Sequence, residues 1–232
     1  AEQPLLMDSE FTESVNDADL WNTTPPGIHW YESRDDDLSL LTLDTSDVGG
    51  NSGKKAKFFG STTGNAYLSQ EFVSPQSGNF SVQWDIYVDE ILDNSDPDRG
   101  AYMLIGDDQD GVNGPCSTGD DRFVYMACAK EGGGTTGTFN LVVRQPGDGW
   151  NVGDFTLVKS DMNLDEWYKI MVDLNLDLDT YKVFVDGVSQ GVYDGIVSKD
   201  AVEYVSFAQW DDGAATFYVD NVFSPVEGRY AL

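Results

Sequence analysis

Residues 81–89 read Ser81-Val82-Gln83-Trp84-Asp85-Ile86-Tyr87-Val88-Asp89, and this stretch decides the class of the fold. Successive side chains of an extended chain point to opposite faces, so Val82, Trp84, Ile86 and Val88 share one side and Gln83, Asp85, Tyr87 and Asp89 the other. One face belongs to a core and the other to water. The same period of two runs through residues 168–179, where Leu174, Leu176 and Leu178 alternate with Asp173, Asn175, Asp177 and Asp179. Residues 181–186 follow after a tight turn, the pattern of a hairpin.

Outward from these two stretches, further strand patterns occupy residues 6–11, 38–43, 55–60, 66–73, 101–106, 122–129, 138–145, 155–159, 188–193, 201–210 and 216–223. Gly and Asp mark nearly every gap between them. The i, i+3, i+4 spacing of an amphipathic helix is nowhere sustained. The expectation is an all-β protein, an antiparallel β-sandwich of about a dozen or more short strands. No fixed-period repeat and no long linker divides the chain, so residues 1–232 read as a single domain, with the glycine-rich residues 132–137 as a loop.

The chain holds 13 Lys+Arg against 41 Asp+Glu, a formal net charge of −28 over 232 residues. Such charge would favour disorder in a chain poor in aromatics, but six Trp, eleven Tyr and twelve Phe supply the burial that a core needs. The longest apolar run, residues 123–129, falls well short of a membrane span. No membrane insertion is expected. A surface this acidic repels phosphate and offers few cations to displace counterions, which excludes nucleic acid as a partner. The acids divide into 31 Asp and 10 Glu, a bias toward turns and oxygen-ligand loops; a solvated surface suited to salty water is the plain alternative.

Cys116 and Cys128 are separated by a Gly/Ser/Asp turn and the start of an apolar run, a loop that a disulfide closes easily. A bridge there would contribute about 3 kcal/mol on the chain-entropy model; two buried free thiols are the alternative. The opening Ala1-Glu2-Gln3-Pro4 is what cleavage after a small residue leaves behind, so a secreted or cell-surface protein is expected.

Three stretches resemble the concanavalin A-like lectin/glucanase superfamily of jelly-roll sandwiches, which includes laminin-G-like modules, glycanases and polysaccharide lyases. They are Trp167-Tyr168-Lys169-Ile170 with the later Tyr181-Lys182-Val183-Phe184-Val185-Asp186-Gly187; the closing Ala215-Thr216-Phe217-Tyr218-Val219-Asp220-Asn221-Val222; and the opening Leu5-Leu6-Met7-Asp8-Ser9-Glu10-Phe11. These are marks of a fold, and fold alone does not fix function. The resemblance implies a structural calcium where first and last strands meet, held by Asp220 with Glu10 or its neighbours. More locally, Asp108 and Asp110 stand in D-x-D-G spacing, an oxygen-rich calcium loop or an Asx turn. Calcium is the one cofactor expected.

Catalytic motifs are scarce. The paired-carboxylate strand of glycanases similar to this fold is missing, and so are the arginine-rich and Gln-x-His strands of alginate-lyase-like members. Asp85 and Asp89 share a strand face with Tyr87 between them, and the single histidine, His29, lies beside Trp30 and Tyr31. Were the chain an enzyme, a lyase or glycanase, His29, Tyr87 and Asp85 would be its catalytic residues. There is no serine-nucleophile elbow, no histidine set for zinc and no phosphate-cradling loop. Sugar binding asks less: aromatic rings to stack on pyranose faces and planar polar groups for the hydroxyls. Trp150 and Trp210 sit at loop edges with Arg144 and Gln209 near them in sequence, and these four are the expected ligand contacts. The leading expectation is a calcium-stabilised, lectin-like module for a neutral or weakly charged polysaccharide. A lyase or hydrolase is the second, and a structural role in a larger cell-surface assembly or filament the third.

Overall fold

A computed structural model of the chain describes residues 4–12, 30–32, 37–93, 98–108, 114–115, 121–130, 137–149 and 151–224. Fourteen strands occur among them: β1 (Tyr31–Glu32), β2 (Leu41–Asp44), β3 (Lys55–Phe58), β4 (Ala66–Gln76), β5 (Asn79–Ile91), β6 (Arg99–Gly106), β7 (Arg122–Ala129), β8 (Thr138–Val143), β9 (Thr156–Asn163), β10 (Trp167–Asn175), β11 (Thr180–Val185), β12 (Val188–Asp194), β13 (Val202–Gln209) and β14 (Ala215–Phe223). They form two seven-stranded sheets, ordered β1-β4-β13-β6-β7-β8-β9 and β12-β11-β10-β5-β14-β3-β2. Every neighbouring pair is antiparallel. Side chains from the two inner faces meet in one core, the arrangement of a β-sandwich.

The stretch 81–89 lies in β5 near the middle of the second sheet, and Val82, Trp84, Ile86 and Val88 are all sealed in the core. Trp84 spans the layers: its ring meets Phe207 of β13 edge-on at 5.6 Å, and its Nε1 donates to Met103 Sδ of β6 at 3.2 Å. The alternation in residues 168–179 holds only in part. β10 stops at Asn175, whose side chain accepts from Leu178 N and caps a 3-10 turn over Leu176–Leu178. Leu176 stays buried while Leu178 is turned out to 70% exposure. The following hairpin matches its sequence: Val185 pairs with Val188, and Asp186 and Gly187 both take positive φ, 49° and 79°, as a two-residue primed turn requires.

Two expectations are corrected. Residues 6–11 are not a strand, because Asp8 and Phe11 take left-handed φ values of 49° and 54° and break any ladder. The segment still runs beside the closing strand, with Leu5 N donating to Ser224 O and Val222 N to Ser9 O. Leu6 and Phe11 are buried there. The second correction concerns Cys128, which is a free thiol, so the bridge expected with Cys116 is not formed; Cys116 itself lies outside the described residues. Alternation along β7 sends Val124, Met126 and Cys128 together into the inter-sheet core. There burial pushes the Cys128 thiol pKa up.

Candidate functional site

Every residue of β6 and β7 is buried, on both faces. One face meets the main core; the other carries a second cluster built from Tyr67, Tyr102, Leu104, Tyr125, Ala127, Val142, Phe155 and Ala208, with Trp210 packed against it. Ladder register assembles it. Tyr102 pairs with Ala208 and Leu104 with Tyr125, while the arginines enter from strand ends: Arg99 opens β6, Arg122 opens β7, and Arg144 follows β8. The Arg144 backbone N–H donates to Tyr125 O at 2.9 Å, which ties the loop after β8 to this face.

Trp210 lies against Tyr102 with ring centroids 4.0 Å apart and an interplanar angle of 32°. Gly213 makes this approach possible, since a Cβ there would collide with the Tyr102 hydroxyl. The Arg122 guanidinium sits 4.9 Å from the Trp210 ring and 5.1 Å from that of Tyr125, and Arg99 sits 4.7 Å from Phe155. Aromatic faces are a favourable surrounding for a desolvated cation. Backbone carbonyls add hydrogen bonds: Arg122 Nε donates to Pro115 O at 2.9 Å, Arg144 Nε to Gly149 O at 3.2 Å and Arg144 Nη2 to Asp148 O at 2.8 Å. Arg99 and Arg122 are buried, whereas Arg144, Gln145 and Trp210 are half-buried.

Electrostatics follow from burial. Desolvation lifts the Tyr102 phenol well above its usual range, and lifts Tyr125 to about 12 even though Arg122 and Arg99 pull it down. Both phenols stay protonated. Arg144 is drawn below its ordinary value by burial and by the like charges of Arg122 and Arg99. Trp210 Nε1 is buried and has no hydrogen-bond partner. Orphaned buried donors are uncommon, and this one lies in the middle of the cluster.

Of the residues expected to touch a ligand, Trp210 and Arg144 therefore come together, and Trp150 lies outside the described residues. Gln209 does not join them. It is buried, its Nε2 donating to Ser61 O and Trp210 O and its Oε1 accepting from Ala215 N, so it braces the turn beneath Trp210. The groups set around the Trp210 ring are instead Tyr102, Tyr125 and Arg122.

The expected metal residues do not form one group. The charge of Asp108 helps raise the pKa values of Glu71 and Tyr204 at one end of the first sheet, and Asp110 lies outside the described residues. Glu10 and Asp220 share an open cavity of about 540 Å³ on the other sheet, together with Asp85, Asn51, Asn221 and Trp167. Asp220 and Asp85 are direct ladder partners. Asn51 Nδ2 donates to Asp220 and Asn221 Nδ2 to Asp85, each at 2.8 Å, while Asp85 Oδ1 is buried without a partner. Burial raises both carboxyl pKa values, and Asp85 and Glu10 raise that of Asp220 further. An oxygen-only donor set with an orphaned carboxylate oxygen suits a hard cation. Among the described residues, however, no three Asp, Glu, His or Cys side chains converge closely enough to hold one. The residues named for catalysis do not meet at the arginine cluster. Asp85 and Tyr87 stand on β5 in the opposite sheet, Tyr87 donating to Asp165 at 3.4 Å, and His29 lies outside the described residues.

Comparison with solved structures shows a likeness of fold, the two-layer antiparallel β-sandwich. It is similar to the carbohydrate esterase of the Shiga toxin-encoding bacteriophage phi24B, with a TM-score of 0.61 and 13% identity over 97% of this chain and 99% of that one. It is similar to a sialidase, with a TM-score of 0.59 and 12% identity over 94% of this chain, which spans only 18% of the sialidase. It is also similar to the carbohydrate recognition domain of Emp47p, with a TM-score of 0.50 and 17% identity over 89% and 92% of the two chains. No protein-family model and no curated protein matches the sequence.

Proposed function

We propose that the chain is an extracellular saccharide-binding module that holds a polysaccharide at the half-buried Trp210 and Arg144 and does not cleave it. The observation that carries this reading is the half-buried indole of Trp210, backed by Tyr102 at 4.0 Å, with its orphaned Nε1 and the Arg122 guanidinium 4.9 Å from its ring. A sugar needs this combination of a flat apolar face and planar donors. Binding is favoured over elimination or hydrolysis because burial keeps Tyr102 and Tyr125 protonated and therefore unsuited to act as bases near neutral pH. The similar proteins include a carbohydrate recognition domain as well as sialidase and esterase enzymes, so a saccharide is the ligand common to their names.

The test is incubation with a panel of plant and marine polysaccharides, followed by gel filtration. Co-elution with at least one polymer of unchanged length, lost in Trp210→Ala, is the expected result. Shortened polymer would make the protein an enzyme, and undiminished binding by Trp210→Ala would move the site elsewhere.

Calcium belongs to the same proposal, at Asp220 and Asp85 in the second sheet. There it would supply positive charge to the buried Asp220 and the half-buried Asp85, whose carboxylates repel each other, and these two side chains with neighbouring carbonyls would hold it. A ligand bound only by the folded state raises stability with its occupancy. Adding calcium to chelated protein should raise Tm, and an unchanged melt would remove the cation from the proposal.

A further inference from the structure

The cavity on the second sheet is larger than a calcium ion requires. It measures about 540 Å³, within the roughly 300 to 1,000 Å³ of small-molecule sites, whereas an ion bonded to oxygens at about 2.4 Å fills only a small part of that space. Asp85 of β5 and Asp220 of β14 line it from the sheet, and residues 49–54 of the loop between β2 and β3 line it together with Trp167 of β10. Gly49 brings loop and indole together: it takes φ of 55°, and a Cβ there would come within 2.7 Å of Tyr87 Cε2 and 3.0 Å of Trp167 Cδ1. Only glycine lets the loop close against these rings. The donors around the cavity are committed. Asn51 Nδ2 donates to Asp220, Asn221 Nδ2 to Asp85 and Trp167 Nε1 to Val48 O, each at 2.8 Å. Acceptors are left over, since Asp85 Oδ1 is buried without a hydrogen-bond partner and the Glu10 carboxylate also lines the cavity. Lysines surround these acids: Lys54 lines the cavity, Lys169 is the ladder partner of Asp85, and Lys55 interacts with Asp220. A ligand therefore needs to bring hydrogen-bond donors more than it needs to bring charge.

We propose that this cavity is a second saccharide site, in which hydroxyls of a neutral sugar donate to the Asp85 and Glu10 carboxylates while the sugar ring lies beside Trp167. The choice of a sugar as the donor-rich ligand rests on the saccharide-binding reading, but the site itself stands on the opposite sheet and uses none of the residues around Trp210. Hydroxyl donors to a carboxylate make charge-assisted bonds and supply the partner that Asp85 lacks. A module with one site on each sheet bridges two polymer strands.

The experiment follows the indole N–H signals of Trp167 and Trp210 by nitrogen-15 NMR, assigned with Trp167→Phe and Trp210→Phe, as neutral gluco-, manno-, galacto- and xylo-oligosaccharides are added in calcium and again in chelator. The expected result is a saturable shift of the Trp167 signal with at least one sugar in either condition. Asp85→Asn, which presents an amide donor where the unpaired oxygen stood, should weaken that response at least tenfold. A response at Trp167 alone keeps the second site and moves the first one elsewhere. Sugars that shift Trp210 but never Trp167 overturn the second site and leave saccharide binding standing; sugars that shift neither overturn both. An undiminished response in folded Asp85→Asn protein also overturns the inference. Methylammonium chloride that shifts Trp167 as strongly as the best sugar at equal concentration overturns the sugar assignment and makes the cavity a site for cations. The titration of the unmodified protein decides even if a variant fails to fold.

Discussion

Asp85 and Asp220 are two carboxylates side by side in one ladder, each held by an asparagine amide and each with a pKa raised chiefly by burial. The sign is fixed by linkage: a carboxyl whose folded pKa lies above its unfolded value near 3.8 contributes stability when protonated, and that contribution is lost as pH rises through the folded pKa. In chelator, Asp85→Asn should therefore match the parent protein in strongly acid solution and exceed it in stability at neutral pH. Asn keeps an acceptor for Asn221. With calcium present the order should shrink or reverse, because the variant lacks a ligand; parallel melting curves at all pH values would show that the pair is not strained. At Cys128 the expectation is inertness. A thiol sealed in the core, with its pKa pushed up by burial, should resist maleimide in the folded protein and react once unfolded. Peptide mapping that finds the Cys128 peptide labelled under native conditions would contradict this placement.

At the scale of elements, the β11 to β12 turn isolates one backbone requirement. Gly187 has φ of 79° with open space where a Cβ would go, so Gly187→Ala introduces conformational strain and no collision. The expected cost is about 1 to 2 kcal/mol, or roughly 2 to 4 °C of Tm per kcal/mol in a chain of this size, and an unchanged melt would mean the turn relaxes. The β10 to β11 hairpin and β5 were legible because local rules fixed them: two apolar-polar alternations parted by a short turn, and four apolar residues at period two. Residues 6–11 and 176–178 were not legible, because their conformations depend on distant or capping partners. Asp8 and Phe11 turn left-handed where the chain threads between Ser224 and Val73, and Asn175 ends β10 through its own side chain. Hydropathy alternation carries neither signal.

For the whole molecule, the candidate site was only partly legible. Trp210 and Arg144 stand out as an aromatic and a cation at loop edges, but Tyr102 and Tyr125 lie in strands buried on both faces, and continuous apolar runs look the same whichever face is functional. The available signal was the arginine opening each run, at positions 99 and 122, where a strand heading into a core has no need of charge. Its meaning depends on strand order, which sets β6, β7 and β8 side by side and so gathers cations that are separated in sequence. The net charge of −28 acts on the molecule as a whole, because like charges held in a compact state repel one another. At about 0.01 M salt the Debye length is near 30 Å and this repulsion reaches across the sandwich, whereas near 0.15 M it falls to about 8 Å. Tm should accordingly rise between these two salt concentrations, and a Tm that falls would mean that attraction within local charge pairs outweighs the repulsion of the whole.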